Sequence, residues 1–430
     1  MVVNNNKKRI LLLNQGCRLN HAETGIIQGQ LETIGHNIVS DINDADTVII
    51  NTCTVTENGD KDTKRIVKKL VNQNKNIRVA LIGCQAQILK DKLFELPNVH
   101  WVIGNEQKMS IPYLLEQEKS TSLTEKIQRN SFTLPFTGID KRHVRANLKI
   151  QDGCDFYCSF CVIPFARGPA RSREFDDILN EAKSLVESGH QELVLTGINL
   201  GTYFNQDKSL LDVVYALEAI DDLKRIRISS IEPTTISKKL ILHMGKKDSK
   251  LCPYLHIPVQ SCSDSILKAM NRHYNMHEYR QFLDFCLENV PNICIGTDII
   301  VGFPGESKQN FDEMVAHILT INWHYAHVFS YSERQFARSQ KFINKINQSE
   351  IKRRSRVIQS IFFNKRLNYQ ANFIGSKVNV LFEQEKNGYW HGTTDTYIKV
   401  AVKSNHRLKN KFHAVKLLKN DSVVFGQLIN

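Results

Sequence analysis

The chain has 430 residues, enough for two or three domains with ample core, and moderate Gly and Pro content without low-complexity tracts excludes a largely disordered protein. Near the start only Ile10-Leu11-Leu12-Leu13 is apolar, too short for a signal peptide, and no apolar stretch reaches membrane-spanning length, so a cytoplasmic protein with no membrane partner is expected. The net charge of +13 is segregated: residues 351–430 hold 15 Lys or Arg against 4 Asp or Glu, which points that segment toward a polyanion such as RNA.

In the first third, apolar runs repeatedly end at a small or polar residue followed by cysteine. Ile10 to Leu13 leads to Cys17, Val48-Ile49-Ile50 to Cys53, and Val79 to Ile82 to Cys84. Such runs read as buried parallel strands, with Val99 to Ile103 as another and helical patterns such as Asp60 to Asn72 between them. An open parallel α/β sheet follows. Ligands bind at the carboxyl ends of strands in such sheets, so three cysteines 36 and 31 residues apart are expected to converge there. The pattern alone leaves open whether they are metal ligands or small buried hydrophobes. From about Glu116 to Arg142 the chain is polar and aperiodic, a linker.

Cys154-Asp155-Phe156-Tyr157-Cys158-Ser159-Phe160-Cys161 places three thiols on one short loop. Four thiolates close a zinc site or saturate an iron–sulfur cluster; three leave one iron open for another ligand. This C-x3-C-x2-C spacing, with Phe160 before the last cysteine, resembles the radical S-adenosylmethionine (SAM) signature. The resemblance implies a four-iron cluster whose open iron takes the amino and carboxylate groups of SAM. A zinc knuckle lacking one ligand is the alternative.

Strand-like runs then recur at βα spacing: Asn147 to Ile150, Leu193 to Leu195, Arg225 to Ile228, Tyr254 to Val259, Ile293 to Val301 and Tyr325 to Phe329, with helical stretches such as Phe175 to Ser188 between. Six units match the partial barrel of the radical-SAM superfamily. By the same resemblance Phe160, Thr196, Gly197, Ser230, Glu232 and Asp298 are candidate SAM contacts. Arg167, Arg171 and Arg173 are expected beside the SAM carboxylate or an RNA phosphate. Two departures from the family pattern put local backbone and substrate fit in question: Gln260-Ser261-Cys262-Ser263, where the family has Gln-Ser-Gly-Ser, and Gln335-Phe336-Ala337, where it has Gly-Thr. Cys252, Cys262, Cys286 and Cys294 lack ligand spacing and read as packing residues.

Lys352-Arg353-Arg354 and Arg356 open a basic helix, and from Gly375 alternating apolar residues predict a small β-barrel. Its lysines, with Tyr389 and Trp390, suit RNA, although both aromatics read equally well as core. Arg353, Arg354, Tyr389 and Lys399 are the candidate RNA contacts. Gly388 to Thr394 and Tyr397 to Val400 resemble a TRAM domain.

Gln15-Gly16-Cys17-Arg18-Leu19-Asn20 with Glu23, Asn51-Thr52-Cys53-Thr54-Val55-Thr56 and Gly83-Cys84-Gln85 resemble the three cysteine motifs of the methylthiotransferase N-terminal domain. Together with Lys149 to Cys154, Ile163 to Gly168 and Leu195 to Gly201, they are most similar to the tRNA threonylcarbamoyladenosine methylthiotransferases. The resemblance implies residues 7–118 as the N-terminal domain, 119–139 as linker, 140–369 as radical SAM core and 370–430 as TRAM domain. It also implies an auxiliary 4Fe-4S cluster on Cys17, Cys53 and Cys84, and a radical-SAM 4Fe-4S cluster on Cys154, Cys158 and Cys161. S-adenosyl-L-methionine is the implied cofactor and tRNA the implied substrate. An electron donor such as flavodoxin or ferredoxin, an unidentified sulfur donor, and no catalytic residue beyond the ligands complete the expectation. Related readings are methylthiolation of isopentenyladenosine in tRNA or of a ribosomal-protein aspartate; a zinc-containing, non-catalytic RNA-binding protein is the reading of another class.

Overall fold

A computed structural model describes residues 7–117, 119–135, 143–419 and 423–429. The apolar runs form a parallel sheet, β1 (Arg9–Asn14), β2 (Asn37–Val39), β3 (Thr47–Thr52), β4 (Arg78–Gly83), β5 (Val99–Ile103) and β6 (Thr121–Leu123), in the order β2-β1-β3-β4-β5-β6. Alternate residues face opposite layers: Val48, Ile50, Val79 and Leu81 bury on one side, Ile49, Ala80, Ile82 and Trp101 on the other. Helices α1 (Arg18–Ile34), α2 (Glu57–Gln73), α3 (Cys84–Leu89) and α4 (Ile111–Glu116) cover those faces. The α2 start is fixed by the Thr56 hydroxyl, which accepts from the Gly59 amide. Part of the expected linker is a strand instead: Thr121–Leu123 pairs with Trp101 to Ile103, and three residues without a long apolar run give little sequence signal.

The second unit is an open half-barrel. Strands β7 (Arg145–Lys149), β10 (Glu192–Thr196) and β13 (Arg225–Ile228) form one parallel sheet, and β14 (Tyr254–His256), β15 (Cys294–Val301) and β16 (Tyr325–Ser330) another. Parallel bridges Ile226 to Leu251 and Ser230 to His256 join them, so all six strands run in one curved wall. Two ribbons decorate it: β8 (Gln151–Asp152) with β9 (Arg171–Ser172), and β11 (Phe204–Asn205) with β12 (Lys208–Ser209). The helices α5 (Ile163–Arg167), α6 (Phe175–Glu187), α7 (Leu210–Glu218), α8 (Lys238–Met244), α9 (Asp264–Ala269), α10 (Met276–Asn289), α11 (Lys308–Thr320) and α12 (Gln348–Ala371) lie between or after the strands. Their apolar faces share one large core with the outward side chains of the wall. The barrel's inner surface is therefore left to polar residues.

Strands β17 (Lys377–Lys386), β18 (Tyr389–Thr394), β19 (Lys399–Val402), β20 (Phe412–Lys419) and β21 (Val424–Leu428) close a small barrel in the order β17-β18-β19-β21-β20. Its core is continuous with Cys252, Tyr254, Cys294 and Tyr369 of the half-barrel. Arg225 and Arg227 reinforce the seam, donating to the carbonyls of Asn379, Thr393, Thr394 and Asp395. Helix α12 runs across the boundary expected at 369/370, whereas the one expected at 139/140, and the last residue, 430, lie outside the described residues. Among the described residues no helix is long and apolar enough to cross a membrane.

Candidate active site

Cys17, Cys53 and Cys84 follow β1, β3 and β4, three adjacent parallel strands, and so emerge side by side at one sheet edge. Gly16 makes the approach possible: at φ 92°, a Cβ there would lie 2.7 Å from Cys53 Cβ and 2.9 Å from its Sγ. Cys17 is exposed, Cys53 half-buried and Cys84 buried. Asn20 Nδ2 donates to the carbonyls of Gln15 and Thr52, tying the first two cysteine loops together. Asn105 Nδ2 stands 3.5 Å from Cys84 Sγ.

The second triad sits on the loop between β8 and α5, and all three of its thiols are half-buried. The turn after α9 braces that loop. Ser159 bonds the carbonyls of Met270 and Ala269, and Asn271 Nδ2 donates to the Phe156 carbonyl. Arg272 donates to Cys158 Sγ at 3.3 Å and to both Glu232 oxygens at 2.6 and 2.5 Å. Neither Arg272 nor Asn105 stands out in sequence, because the contacts that define them span 114 and 61 residues.

Burial pushes the thiols up, Cys53 and Cys161 to about 12 and Cys154 to about 11, so they stay protonated until a cation compensates for thiolate charge. A tetrahedral zinc, with Zn–S of about 2.3 Å, needs sulfurs about 3.8 Å apart. Among the described residues neither triad has its three sulfurs within 4.8 Å of one another. An all-thiol set of three donors suits an iron–sulfur centre that leaves one iron open.

The triads meet through a buried joint. Helix α5, directly after the Cys154–Cys161 loop, leans on α3, and Asn105, just after β5, bonds the Ala166 carbonyl through Nδ2 at 2.6 Å. Arg167 reaches Asn20 at 2.6 Å, Glu23 at 3.1 Å and Asp152 at 3.0 Å. Lys149 pairs with Glu23 at 2.7 Å and Asp152 at 2.6 Å, and Lys108 also pairs with Glu23. All five ionic side chains are buried. Burial alone would raise the Glu23 pKa, but Arg167, Lys108 and Lys149 hold it well below the usual carboxylate range. Three cations against two carboxylates leave one positive charge beside Cys17 and Cys84, complementary to an anionic cluster, and Arg167 Nε has no hydrogen-bond partner among the described residues.

The cations expected beside SAM or RNA are therefore placed otherwise. Arg167 is locked in the joint, Arg171 pairs with Glu106 at 2.7 Å, and Arg173 is buried on Asp177 and Glu181. Arg354 is likewise turned inward onto Glu306 and Glu350, because its helix face packs on the half-barrel, while Arg353 is exposed. Trp390 is core; Tyr389 is partly exposed on Phe425, and Lys399 is exposed.

The candidate SAM residues surround the barrel mouth. Phe160 packs against the cluster of Ile266, Met270, Ile300 and Phe303. Thr196 ends β10, and at Gly197 a Cβ would come within 2.9 Å of Gln151 Oε1, which itself accepts from the amides of Ile198 and Asn199. Ser230 bridges to His256; Glu232 is engaged by Arg272, and Asp298 by His256 Nε2 at 2.9 Å. Donor atoms of His256, Asp298 and His327 lie within 4.8 Å of one another on the inner wall. In the two departures, Gln260 (φ 68°) rather than Cys262 takes the left-handed conformation, so the cysteine simply packs, whereas Phe336 takes φ 70° and stacks on Phe165.

Comparison with known proteins agrees with this architecture. Residues 148–318 match the Radical SAM superfamily, and residues 9–104 match the uncharacterized protein family UPF0004. The threonylcarbamoyladenosine tRNA methylthiotransferase MtaB of Aquifex aeolicus is 33% identical over 376 residues, covering 86% of this chain and 92% of that protein. The MtaB of Bacillus subtilis is 31% identical over 423 residues, covering 94% and 92%. The tRNA-2-methylthio-N(6)-dimethylallyladenosine synthase of Protochlamydia amoebophila is 31% identical, covering 88% and 86%. Among solved structures, the radical S-adenosylmethionine methyltransferase TsrM from Kitasatospora setae, with cobalamin and a [4Fe-4S] cluster bound, shares the fold with a TM-score of 0.55 at 14% identity, over 75% of each chain.

Proposed function

The chain belongs to the radical-SAM tRNA methylthiotransferases, and from that premise we propose that it adds a methylthio group to carbon 2 of N6-threonylcarbamoyladenosine beside the tRNA anticodon. The observation that carries the reading is the pairing of two three-thiolate sites through one buried joint. Cys154, Cys158 and Cys161 are to hold the cluster that binds SAM, and Cys17, Cys53 and Cys84 the auxiliary one. When bound, these groups supply one-electron cleavage of SAM, hydrogen removal from an unactivated C–H bond, and the sulfur to be transferred.

The chain's own part is placement. Arg272 holds Cys158 and Glu232 in one geometry, Gln151 fixes the 197–199 turn where the SAM amino acid is to sit, and Asn105 and Arg167 set the distance between the centres. Phe160, Thr196, Gly197, Ser230, Glu232 and Asp298 remain the proposed SAM wall. Arg353, Tyr389 and Lys399 are the proposed RNA contacts. A reduced flavodoxin or ferredoxin, an unidentified sulfur donor and a cytoplasmic setting complete the proposal. A second reading, dimethylallyladenosine as substrate, is favoured by relatives of that name at similar identity.

Nucleoside mass spectrometry of tRNA from a deletion strain tests the choice: the methylthio form of threonylcarbamoyladenosine is expected to vanish, and its persistence rejects the assignment. In the reconstituted protein, about eight irons per chain are expected. Cys17→Ala is expected to hold about four and to cleave SAM without forming methylthiolated product.

A further inference from the structure

The auxiliary sheet, the half-barrel and the C-terminal barrel each send at least one cation to the same tyrosine. Tyr397 projects from the turn between β18 and β19 onto Tyr254 and Tyr325 of the inner wall. Arg18 of α1 donates to its hydroxyl at 2.6 Å and lies 5.6 Å from its ring centre. Arg145 of β7 is 5.9 Å from that centre, and Lys399 of β19 is 5.2 Å from it. Tyr397 takes φ 67°, a left-handed backbone that side chains rarely adopt, and such strain gathers at functional sites.

The charges do not balance. Arg145 pairs with Glu383 at 3.0 Å, and Arg227, also against the ring, pairs with Glu192 at 2.9 Å. Arg18 and Lys399 have no carboxylate within ion-pair distance among the described residues; their bonds go to Tyr397 and to the Thr393 hydroxyl. Burial and Arg145 lower the Lys399 pKa, outweighing the opposing pull of Glu383. Arg18 and Arg145 line one cavity of about 130 Å³, and Lys399 and Tyr397 line another of about 380 Å³ that also takes in His327.

We propose that Arg18 and Lys399, framed by Arg145 and Tyr397, form the subsite for the free carboxylate of the threonylcarbamoyl group, and so select that substrate over one with a neutral hydrocarbon on the same nitrogen. The inference rests on the function proposed above and deepens it. A threonine joined through its amine keeps its carboxylate, so the modified adenine carries an anion that a dimethylallyl group lacks. A half-buried guanidinium and an exposed ammonium, neither in ion-pair contact with a carboxylate among the described residues, favour that anion and leave a hydrocarbon facing two charges. Arg18 directly follows Cys17, so an anchored carboxylate keeps the base near the proposed sulfur-bearing site.

The test is binding of the reconstituted protein to three fluorescent anticodon stem-loops: one with threonylcarbamoyladenosine, one with its threonyl carboxylate as methyl ester, and one with unmodified adenosine. The wild type is expected to prefer acid over ester by about tenfold, as a single charged hydrogen bond provides. Arg18→Gln is expected to cut that preference to under about threefold, with iron content and affinity for the unmodified loop unchanged; Lys399→Gln, at a proposed RNA contact, is expected to cut it likewise with iron content unchanged, and Arg18→Lys to retain most of it. Equal affinity of the wild type for acid and ester overturns the subsite. So does a parallel loss for all three loops in both glutamine variants, which marks phosphate contacts instead. Methylthiolation of the threonylcarbamoyl loop, assayed in parallel, separates the two levels: if product forms while acid and ester bind alike, the subsite alone falls; if only a dimethylallyl loop reacts, the function proposed above falls and the subsite with it.

Discussion

Glu23 shows how much one side chain can decide. It is buried against Lys108, Lys149 and Arg167, so Glu23→Gln leaves three cations to share Asp152. Removing one partner of a buried pair costs about 3–5 kcal/mol, and calorimetry of Glu23→Gln is expected to show a loss of that size together with lower iron retention. The pH dependence has a definite sign. The folded pKa lies below the ordinary 4.5, so the carboxylate's contribution is complete above that value and is lost as pH falls through the folded pKa. Wild-type stability is therefore expected to drop below pH 4.5 more steeply than that of the glutamine variant. Arg354→Ala, which strands buried Glu306, is expected to cost about 3 kcal/mol and to leave RNA affinity unchanged; a fall in affinity at unchanged stability contradicts the inward placement. Phe336→Gly is expected to be neutral within about 1 kcal/mol, since relief of about 1–2 kcal/mol of left-handed strain offsets the lost stacking and the added chain freedom.

At the level of elements, the sequence was most legible where chemistry is written locally. Each N-terminal cysteine ends an apolar run, and the second triad lies within eight residues, so both sets of thiols could be placed on strand ends or a loop without coordinates. Helices α2 and α6 fell within three residues of their periodicity, and the six barrel strands within three, because buried strands and amphipathic helices carry strong patterns. What escaped was either short or distant. Strand β6 has three residues, and the buried joint between the triads depends on pairs such as Glu23 of α1 with Arg167 of α5, 144 residues apart. The arginines after the cluster loop looked like ligand contacts because sequence shows their charge but not their partners. Asn105→Ala probes this level: it is expected to keep SAM cleavage within about twofold while lowering methylthiolated product at least tenfold, about 1.4 kcal/mol in barrier, and equal losses in both would place its effect elsewhere.

Across the whole molecule, the C-terminal barrel is part of the catalytic body rather than an appended handle. It shares a core with Cys252, Tyr254, Cys294 and Tyr369 and is tied down by Arg225 and Arg227. Truncation after Ala371 is expected to expose that apolar seam and give aggregation on size exclusion; a well-behaved monomer would mean that the seam is dispensable. The buried joint bears on biosynthesis as well. A ribosome delivers Cys17, Glu23, Cys53, Cys84 and Lys108 before Lys149 and Arg167, so the first sheet emerges with Glu23 paired to Lys108 alone and gains its other two cations only with the next unit. A chain stopped before Lys149 is accordingly expected to hold less iron at its three cysteines than the same residues hold in the full-length protein.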